Sequence, residues 1–369
     1  MYSNKVGIII PSLNYGGAEK SAILLSQELN KKFKIVDLIT LTKNQRNIRD
    51  NKINLISLNK VRVLYSIKKI YYLIKEKKYD TIITGLAHLN FIIIIINTLL
   101  KKKNKFNLII HFHNVPNLNK FNFREKILNY FIFKLIKLDK NENIKIVTVS
   151  KYIKEYIINK YKIDNKKVNV IYPVVDFKKI DKLKRIKNPY INFNKKIIVT
   201  IGRLSEQKNH KLLIKSFANV RKQLDCNLVI IGSGKLKNKL FLVIDKYNLT
   251  KHIKIIDKVD NPYPYLFYAD LFVLSSNWEG FGLVLIESLA CNLKIVSTDC
   301  PGSPREILSE LNTALLCKNN DSEDLTKKIM LMMNKNKLKL KFERKFLEKN
   351  FSINKHLNSY INIIKKINE

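Results

Sequence analysis

Short apolar runs alternate with helix-length segments along almost the whole chain, and the alternation occurs twice. Apolar runs separated by helices predict βαβ units and a parallel sheet, because parallel neighbours need a long crossover connection. We therefore predict an α/β protein made of two doubly wound domains in tandem. The predicted strands are Val6–Ile10, Lys34–Leu41, Ile53–Ser57, Thr81–Thr84, Leu108–His111 and Ile144–Val149 in the first half, and Ile197–Ile201, Leu228–Ile231, Ile253–Ile256, Leu271–Leu274 and Lys294–Ser297 in the second.

The two halves meet near residue 175 of the 369-residue chain. Val170–Asp176 closes the first half, and Pro173 favours an extended backbone before it. Lys178–Lys196 is basic and lacks clear periodicity, which predicts an interdomain connection. Leu338–Glu369 is interpreted as one or two helices. The predicted domains are residues 1–175, residues 176–350 and a C-terminal helix over residues 351–369.

The formal net charge is +39, from 69 basic and 30 acidic residues. Nucleic-acid sites usually cluster arginine and lysine among aromatic residues. Here nine of the basic residues are arginine, and the lysines are spread over nearly every predicted helix. A solvated, lysine-rich surface accounts for most of this charge, and attraction to anionic lipid, at about 1 kcal/mol per basic residue, is the functional alternative. Nucleic-acid binding stays as a rival hypothesis, tested by a salt-sensitive mobility shift.

The apolar segments are too short to cross a bilayer. The longest, Phe91–Leu100, is interrupted by Asn97 and reaches about half the length of a membrane-spanning helix. We predict a buried helix here instead of a membrane-dipping segment, because a strong polar face is lacking.

The four cysteines form no C-x-x-C pair, which predicts a reducing compartment. With no visible secretory signal, the expected location is the cytoplasm, with peripheral contact at the inner face of the membrane as an extension.

The segment Ser275–Ala290 contains the residues best suited to bind a ligand. A predicted strand ends, a glycine-containing loop follows, and a helix starts near Leu283, so the N–H groups of its first turn would form an anion site. Gly282 would let a ligand approach the backbone closely. Glu279 and Glu287 could accept hydrogen bonds from neighbouring sugar hydroxyls. Taken alone, these glutamates could equally be acidic residues that the helix dipole favours.

A second loop, within Thr200–His210, follows another predicted strand and should open at the same edge of the sheet. It carries Arg203 and Lys208, and two fixed cations could neutralise the charge that develops on a departing diphosphate. Arginine offers a planar fork to phosphate oxygens, whereas lysine offers a point charge. Lys208 is one of 60 lysines and carries little information alone, but Arg203 directly follows a glycine at a strand end.

Four stretches fit one known pattern in their order and spacing. Glu279 and Glu287 have seven residues between them, and the other three are Gly202–His210 (GRLSEQKNH), Asn14–Glu19 (NYGGAE) and Thr298–Leu308 (TDCPGSPREIL). The first two resemble the E-x7-E signature and the phosphate loop of the retaining glycosyltransferases of family 4. The last two resemble the family's N-terminal glycine loop and the T-D-C-P-x-G-P-x-E-I-L stretch of members that assemble polysaccharides and glycans. Ser303 stands where those members have a second glycine.

The resemblance implies the GT-B fold, with two Rossmann-like domains facing a central cleft and a C-terminal helix that returns to the N-terminal domain. It implies transfer of a hexose or N-acetylhexosamine unit, with retention, from a nucleotide sugar to a hydroxyl of a glycan or lipid-linked oligosaccharide. A UDP-sugar is the favoured donor. An inactive sugar-nucleotide-binding subunit is the remaining alternative.

The resemblance also assigns roles to individual residues. Arg203 and Lys208 would hold the diphosphate, Glu279 would contact the transferred sugar, and Glu287 would hold the ribose hydroxyls. The other implied substrate contacts are Gly202 in the phosphate loop, the N–H groups of Phe281, Gly282 and Leu283 at the diphosphate, Gly16 and Gly17 beside the donor phosphates and acceptor, and the backbone of Val259 at the base.

His113 ends a predicted strand of the first domain, and the resemblance implies a hydrogen bond from it to the transferred sugar. A histidine satisfied within a strand-to-loop turn is the structural alternative. His111 is predicted to point to the opposite face and to be structural.

The chain has no D-x-D, the carboxylate pair that metal-dependent glycosyltransferases use, so no metal or other cofactor is expected. Gly232 and Gly234 lack the third glycine of G-x-G-x-x-G, so a nicotinamide dehydrogenase is not expected.

Overall fold

The computed structural model describes residues 2–13, 17–42, 53–60, 63–100, 105–116, 123–139, 143–190, 195–335 and 341–368. The chain divides into two compact units. Unit 1 comprises Met1–Val174 and Asn354–Glu369, and unit 2 comprises Val175–Ile353. The chain therefore leaves unit 1 and returns to it with its last helix.

Unit 1 is built on a parallel sheet of seven described strands. The strands are β1 (Tyr2–Ile10), β2 (Phe33–Thr42), β3 (Asn54–Lys60), β4 (Thr81–Gly85), β5 (Asn107–Phe112), β6 (Ile144–Thr148) and β7 (Val168–Val170). Their order is β3-β2-β1-β4-β5-β6-β7, so the winding direction reverses between β1 and β4. The helices are α1 (Gly17–Asn30), α2 (Ile67–Lys77), α3 (Ala87–Leu99), α4 (Phe123–Leu138) and α5 (Lys151–Tyr161).

Unit 2 repeats this plan with six described parallel strands. The strands are β8 (Lys196–Ile201), β9 (Cys226–Ile231), β10 (Ile253–Ile256), β11 (Leu271–Leu274), β12 (Lys294–Thr298) and β13 (Ala314–Cys317). Their order is β10-β9-β8-β11-β12-β13, with the reversal between β8 and β11. The helices are α6 (Phe177–Leu183), α7 (His210–Arg221), α8 (Lys237–Lys246), α9 (Tyr263–Phe267), α10 (Leu283–Ala290), α11 (Pro304–Leu308), α12 (Ser322–Asn334) and α13 (Lys341–Phe351).

The sheet of unit 2 is held by apolar residues of its strands and by two helices that pack on it. Leu228 and Val273 belong to the same buried cluster as Phe217 of α7 and Ile329 of α12. Helix α12 begins where the Asp321 carboxylate accepts hydrogen bonds from the N–H groups of the first turn, so its start is fixed locally. The inward-facing apolar residues of the strands therefore form one core with those of α7 and α12.

The last helix, α14 (Ile353–Asn368), completes the core of unit 1. Leu357, Tyr360 and Ile364 are buried, and they belong to the cluster that contains Val6 of β1 and Leu38 of β2. Helix α14 therefore covers part of the sheet that the N-terminal segments form.

The doubly wound α/β fold predicted for both halves is confirmed, but the sequence interpretation of the junction is wrong. Residues 177–183 form helix α6 instead of an irregular connection, because Asp176 caps the helix and Phe177 and Ile180 are buried. Two strands were not predicted, β7 and β13, which have three and four residues. Strands this short carry too little alternation to be seen in a sequence.

Helix α3, predicted as a buried helix, is buried along most of its length. Seven of its residues are buried, among them Ile93 and Ile96, and Asn97 donates a hydrogen bond to the Phe106 carbonyl at 2.9 Å. Among the described residues, no helix combines the length and the apolar character that a membrane crossing requires.

Candidate active site

Two loops of unit 2 are joined at the point where the winding of its sheet reverses. Loop A, residues 202–209, follows β8, and loop B, residues 275–282, follows the neighbouring strand β11. The backbone N–H of Asn277 donates to the Gln207 carbonyl at 2.8 Å, and the Gln207 side chain donates to the Trp278 carbonyl at 3.1 Å. The carboxyl ends of parallel strands at such a reversal are where ligands bind in open α/β sheets.

An ion pair links the two loops at their centre. The Lys208 ammonium lies 2.6 Å from Oε1 of Glu279, and the Ser276 hydroxyl donates to the same oxygen at 2.5 Å. Glu279 is 4% exposed, so this carboxylate is desolvated and depends on its two donors. A Cβ at Gly202 would lie 3.2 Å from two methylene carbons of Lys208, so the glycine makes room for the lysine stem. The structure thus places Gly202, Lys208 and Glu279 together at the junction of loops A and B.

A third loop, after β12, supports the Glu279 backbone. The N–H of Glu279 donates to the Pro301 carbonyl of this loop at 2.9 Å, and the hydroxyl of Thr298, the last residue of β12, donates to the Ser276 carbonyl at 2.7 Å. Gly302 has φ +130°, and a Cβ there would lie 2.1 Å from the Glu279 carbonyl oxygen. Only glycine therefore fits at this position without moving loop B.

Helix α10 begins directly at the end of loop B. Gly282 precedes it in a left-handed conformation, with φ +71°, and Leu283 is its first residue. Phe281 is buried against the ring of Phe351, and its carbonyl accepts a hydrogen bond from the Ser303 hydroxyl. The first N–H groups of a helix have no partner within the helix, so this helix start can receive an anion.

The other residues predicted in unit 2 lie at the same edge of the sheet. Arg203 is exposed in loop A, and its guanidinium forms no ion pair within the part of the chain that the structure describes. Glu287 is half-buried in the second turn of α10. Val259 is half-buried after β10, and two strands separate β10 from β11, so Val259 lies farther along this edge.

The loop that contains Gly232 and Gly234 packs against loop A. A Cβ at Gly232 would lie 1.9 Å from the Gly202 carbonyl oxygen, and a Cβ at Gly234 would lie 2.3 Å from that of Leu204. These glycines set the position of loop A. In the sequence they served only as evidence against a dinucleotide-binding motif, because the third glycine of that motif is missing. A glycine directly after a strand is the sequence signal that could have identified them.

In unit 1, His113 follows β5 and faces a mostly apolar cavity of about 90 Å³. A Cβ at Gly85 would lie 3.0 Å from the His113 Nε2 atom, so this glycine makes room for the imidazole. The sequence analysis did not identify Gly85. Burial lowers the pKa of His113 to about 4, so the ring is neutral near pH 7. Gly17 is the first residue of α1, whereas Gly16 lies outside the described residues.

The prediction that His111 points away from His113 is wrong. The two residues are two positions apart and therefore share a face of the strand. Their ring centroids are 5.4 Å apart, and both line the same cavity. His111 Nε2 and the Tyr360 hydroxyl of α14 are hydrogen-bonded at 2.9 Å. Tyr360 was not recognised in the sequence, because 249 positions separate it from His111.

The described residues contain no group of three or more histidine, cysteine or acidic side chains placed to hold a metal ion. Lys208 pairs with Glu279 of loop B, Arg203 lies in the same loop as Lys208, and helix α10 starts at the end of loop B. This part of unit 2 is therefore equipped to bind a diphosphate through side-chain cations and backbone N–H groups.

Comparison with solved structures shows which fold the chain has. A glycosyltransferase from Rickettsia africae has a TM-score of 0.78 over 99% of this chain and 98% of its own, at 22% identity. An Anabaena protein, HepE, crystallised with UDP and glucose, has a TM-score of 0.79 over 98% of this chain and 100% of its own, at 14% identity. The fold is that of the GT-B glycosyltransferases, as predicted.

Comparison with known protein families and with relatives identifies the family to which this chain belongs. Residues 15–179 match the family described as Glycosyltransferase Family 4, and residues 181–348 match Glycosyl transferases group 1. The N-acetylgalactosamine-N,N'-diacetylbacillosaminyl-diphospho-undecaprenol 4-alpha-N-acetylgalactosaminyltransferase of Campylobacter jejuni is 30% identical over 356 residues, covering 92% of this chain and 93% of its own length. The chain belongs to glycosyltransferase family 4 and is a glycosyltransferase, which confirms the resemblance seen in the motifs.

Proposed function

We propose that this enzyme transfers a hexose or N-acetylhexosamine unit from a UDP-sugar to a hydroxyl of a lipid-linked oligosaccharide or glycan, with retention and without a metal ion. The observation that carries the proposal is the junction of loops A and B, where Lys208, Glu279 and the start of α10 come together. A departing diphosphate needs positive groups, and the exposed guanidinium of Arg203 lies in the same loop as Lys208.

Each residue at the junction has a distinct proposed task. Lys208 has three N–H donors and uses one of them on Glu279, so the ion pair orients the ammonium and leaves other donors for phosphate oxygens. Arg203 and the N–H groups of Phe281, Gly282 and Leu283 complete the diphosphate site. Glu287 holds the ribose hydroxyls, and the backbone of Val259 contacts the base.

The transferred sugar is oriented by Glu279 and by the neutral imidazole of His113. Because Oε1 of Glu279 already accepts from Lys208 and Ser276, the second carboxylate oxygen is the one proposed to receive a sugar hydroxyl. An oxygen of the leaving diphosphate receives the proton of the acceptor hydroxyl, so attack on the anomeric carbon needs no separate protein base. Attack from the leaving-group side gives retention.

The acceptor and the donor are proposed from the relatives. The Campylobacter jejuni relative acts, by its name, on a diphospho-undecaprenol-linked sugar and transfers an N-acetylgalactosaminyl unit. The Anabaena protein was crystallised with UDP and glucose, which makes UDP-sugars the first donors to test.

Thermal unfolding with a panel of UDP- and GDP-sugars, in the presence of a chelator, tests donor choice and metal independence together. A bound donor should raise the melting temperature by mass action. Arg203→Ala should reduce transfer by about a hundredfold or more, because one donor to the developing charge is lost. Arg124→Ala, an exposed arginine of unit 1, is the matched control and should leave transfer to a soluble acceptor unchanged.

The proposal fails if no UDP-sugar stabilises the protein without metal, or if Arg203→Ala is fully active. The anomeric configuration of the product, read by NMR, tests retention separately. An inverted product would reject the retaining mechanism while leaving the glycosyltransfer itself in place.

A further inference from the structure

Three aromatic side chains connect the C-terminal helix α14 to His113. The ring of His356 packs against that of Tyr360, one helical turn later, with centroids 5.0 Å apart. The Tyr360 hydroxyl and Nε2 of His111 are hydrogen-bonded at 2.9 Å. The His111 ring in turn meets the His113 ring edge-on, with centroids 5.4 Å apart. These four residues, His356, Tyr360, His111 and His113, are called the aromatic row.

The imidazole of His113 is oriented by packing alone. Within the described part of the chain, neither of its ring nitrogens takes part in a hydrogen bond. One side of the ring meets His111, and the Gly85 backbone lies on another, since a Cβ at Gly85 would be 3.0 Å from Nε2 of His113. The ring nitrogens are therefore available to a ligand, and the orientation of the imidazole depends on its neighbours.

Strand pairing fixes the place of His111 but not the rotation of its ring. Gly85 of β4 and His111 of β5 are paired in register, and a Cβ at Gly85 would lie 3.3 Å from the Cβ of His111. The outer torsion of a histidine side chain has a broad, roughly two-fold preference, so a hydrogen bond is needed to select one orientation. The Tyr360 hydroxyl supplies this bond.

The bond between Tyr360 and His111 lies in a place where its loss is costly. Burial lowers the pKa of His111 well below its ordinary value, as do the nearby His113 and His356, so the ring is neutral near pH 7. A neutral imidazole has one N–H and one acceptor nitrogen, and both need partners when water is excluded. Without the hydroxyl, the His111 ring would turn towards another partner and change its contact with His113.

His356 fixes the outer end of the aromatic row. Its Nδ1 lies 2.8 Å from the Tyr172 carbonyl, and because a carbonyl only accepts, this nitrogen is the donor. Burial lowers the pKa of His356, so its ring is neutral near pH 7 and Nε2 carries no proton. Tyr360 therefore packs against a ring that is tied to the backbone following β7.

We propose that Tyr360 and His111 are positioning residues, which hold the imidazole of His113 in the orientation that binds the transferred sugar. The inference rests on the proposed function for the role of His113. Tyr360 acts on His111, and His111 acts on His113, so neither positioning residue needs to touch the substrate. A rotated imidazole would hydrogen-bond the sugar less well in the transition state, so kcat should fall while donor affinity changes little.

A double-mutant cycle on Tyr360 and His113 tests the proposal. The activity measured is release of UDP from the UDP-sugar that stabilises the protein most. Tyr360→Phe keeps the ring and removes the hydroxyl, so kcat should fall by about tenfold with KM for the donor within about threefold of the parent value. His113→Ala should lower kcat by about a hundredfold. Adding Tyr360→Phe to His113→Ala should lower kcat by less than about twofold more, because Tyr360 acts through His113.

His111→Phe approaches the same contact from the other side. It keeps an aromatic ring beside His113 and removes the nitrogen that is bonded to Tyr360. It should lower kcat by about tenfold, and Tyr360→Phe should add less than about twofold to this loss, because both changes remove one hydrogen bond.

Tyr79→Phe is the matched control. Tyr79 is a buried tyrosine of unit 1 whose hydroxyl donates to Asp37 at 2.5 Å. It lies just before the first residue of β4, whereas the aromatic row lies beside the last. Tyr79→Phe should lower the melting temperature, because a buried carboxylate loses a donor, and leave kcat within about twofold of the parent value.

NMR of the imidazole groups gives a readout that needs no turnover. The ring resonances of His113, assigned with His113→Ala, should shift in Tyr360→Phe and stay in place in Tyr79→Phe. The proposal is overturned if they do not shift in Tyr360→Phe, or if that variant has the kcat of the parent. It is also overturned if Tyr360→Phe lowers kcat by the same factor with and without the His113 imidazole, as a direct substrate contact or a general loss of stability would.

Failure of the proposed function has a different signature. Parent-like activity in His113→Ala, or absence of turnover with every UDP-sugar, would reject the role given to His113 there. The resonances of His113 in Tyr360→Phe and His111→Phe would still decide whether Tyr360 and His111 orient its ring.

Discussion

At the residue scale, the ion pair of Lys208 and Glu279 has two consequences. It fixes the ammonium beside the start of α10, and it supplies the buried carboxylate with a second donor besides Ser276. An unpaired charge at this position would be costly, because Glu279 is almost completely removed from water. The same contact therefore serves the stability of loops A and B and the arrangement of the proposed diphosphate site.

A double-mutant cycle on Lys208 and Glu279 tests this coupling. Glu279→Leu should lower the free energy of unfolding more than the double variant Lys208→Met with Glu279→Leu does, because the single change leaves a largely buried ammonium unpaired. The interaction energy should be roughly 1–3 kcal/mol in urea denaturation, since Lys208 keeps some contact with solvent. All of these variants should lose transfer activity. Strictly additive changes in unfolding free energy would show that the pair is not coupled.

The buried histidines predict how stability depends on pH. Burial lowers the pKa of His113 to about 4, and burial together with the charge of Lys208 lowers that of His210 to about 4. The unfolded chain, with histidine pKa values near 6.5, binds more protons than the folded protein between these values. Each group should therefore reduce the free energy of unfolding by roughly 1 kcal/mol per unit as the pH falls from 6.5 towards 4.

NMR titration of the six histidines measures their pKa values directly. The resonances of His113 and His210, assigned with His113→Gln and His210→Gln variants, should remain those of neutral imidazole down to about pH 5. Urea denaturation of the same variants should show a shallower loss of stability with acid than the parent protein shows. Ordinary titration of both rings near pH 6.5 would contradict the prediction.

At the element scale, loops after neighbouring strands are held together by glycines that allow close backbone contact. Gly302 lets the loop after β12 touch the Glu279 carbonyl, and Gly232 lets the loop after β9 touch the Gly202 carbonyl. Both have positive φ, so a side chain there would be strained by its conformation and by its neighbour. The geometry of the site thus depends on residues that carry no functional group.

Gly302→Ala tests this dependence. The added methyl group cannot fit beside the Glu279 carbonyl, so loop B must move and the free energy of unfolding should fall by roughly 1–3 kcal/mol. Transfer activity should fall more than this loss of stability explains, because Glu279 and Lys208 shift with the loop. Gly7→Ala is the matched control, since its Cβ would meet Tyr79 at an ordinary 3.4 Å and its φ is not positive. Parent-like activity in Gly302→Ala would show that loop B tolerates the displacement.

At the scale of the whole molecule, unit 1 is assembled from both ends of the sequence. Helix α14 contributes five buried residues, among them Leu357, Tyr360 and Ile364, to a core whose other members precede residue 175. Tyr360 also holds His111, which packs against His113. The chain's last helix is therefore part of the unit that contains its first strand.

Truncation after Phe351 should unfold unit 1 and leave unit 2 folded. The loss of several buried apolar side chains, each worth about 1.5–3 kcal/mol, is comparable to the stability of a whole domain. Limited proteolysis read by mass spectrometry should yield a resistant fragment that covers residues 175–351. The control, Asn358→Ala with Asn362→Ala on the exposed side of α14, should be cleaved like the parent protein. Equal resistance of unit 1 in the truncated chain would show that α14 is dispensable.

The sequence by itself determined the order of the strands and helices other than β7, β13 and α6, the positions of the loops at strand ends and the family, because periodicity and motif spacing are local properties. It did not reveal that Lys208 pairs with Glu279 across 71 positions, or that Tyr360 reaches His111. Nor could it say which side of α4 is buried, since both sides are apolar. Those outcomes were decided by tertiary structure, because contacts between distant segments depend on how the sheets wind, and no local pattern records that.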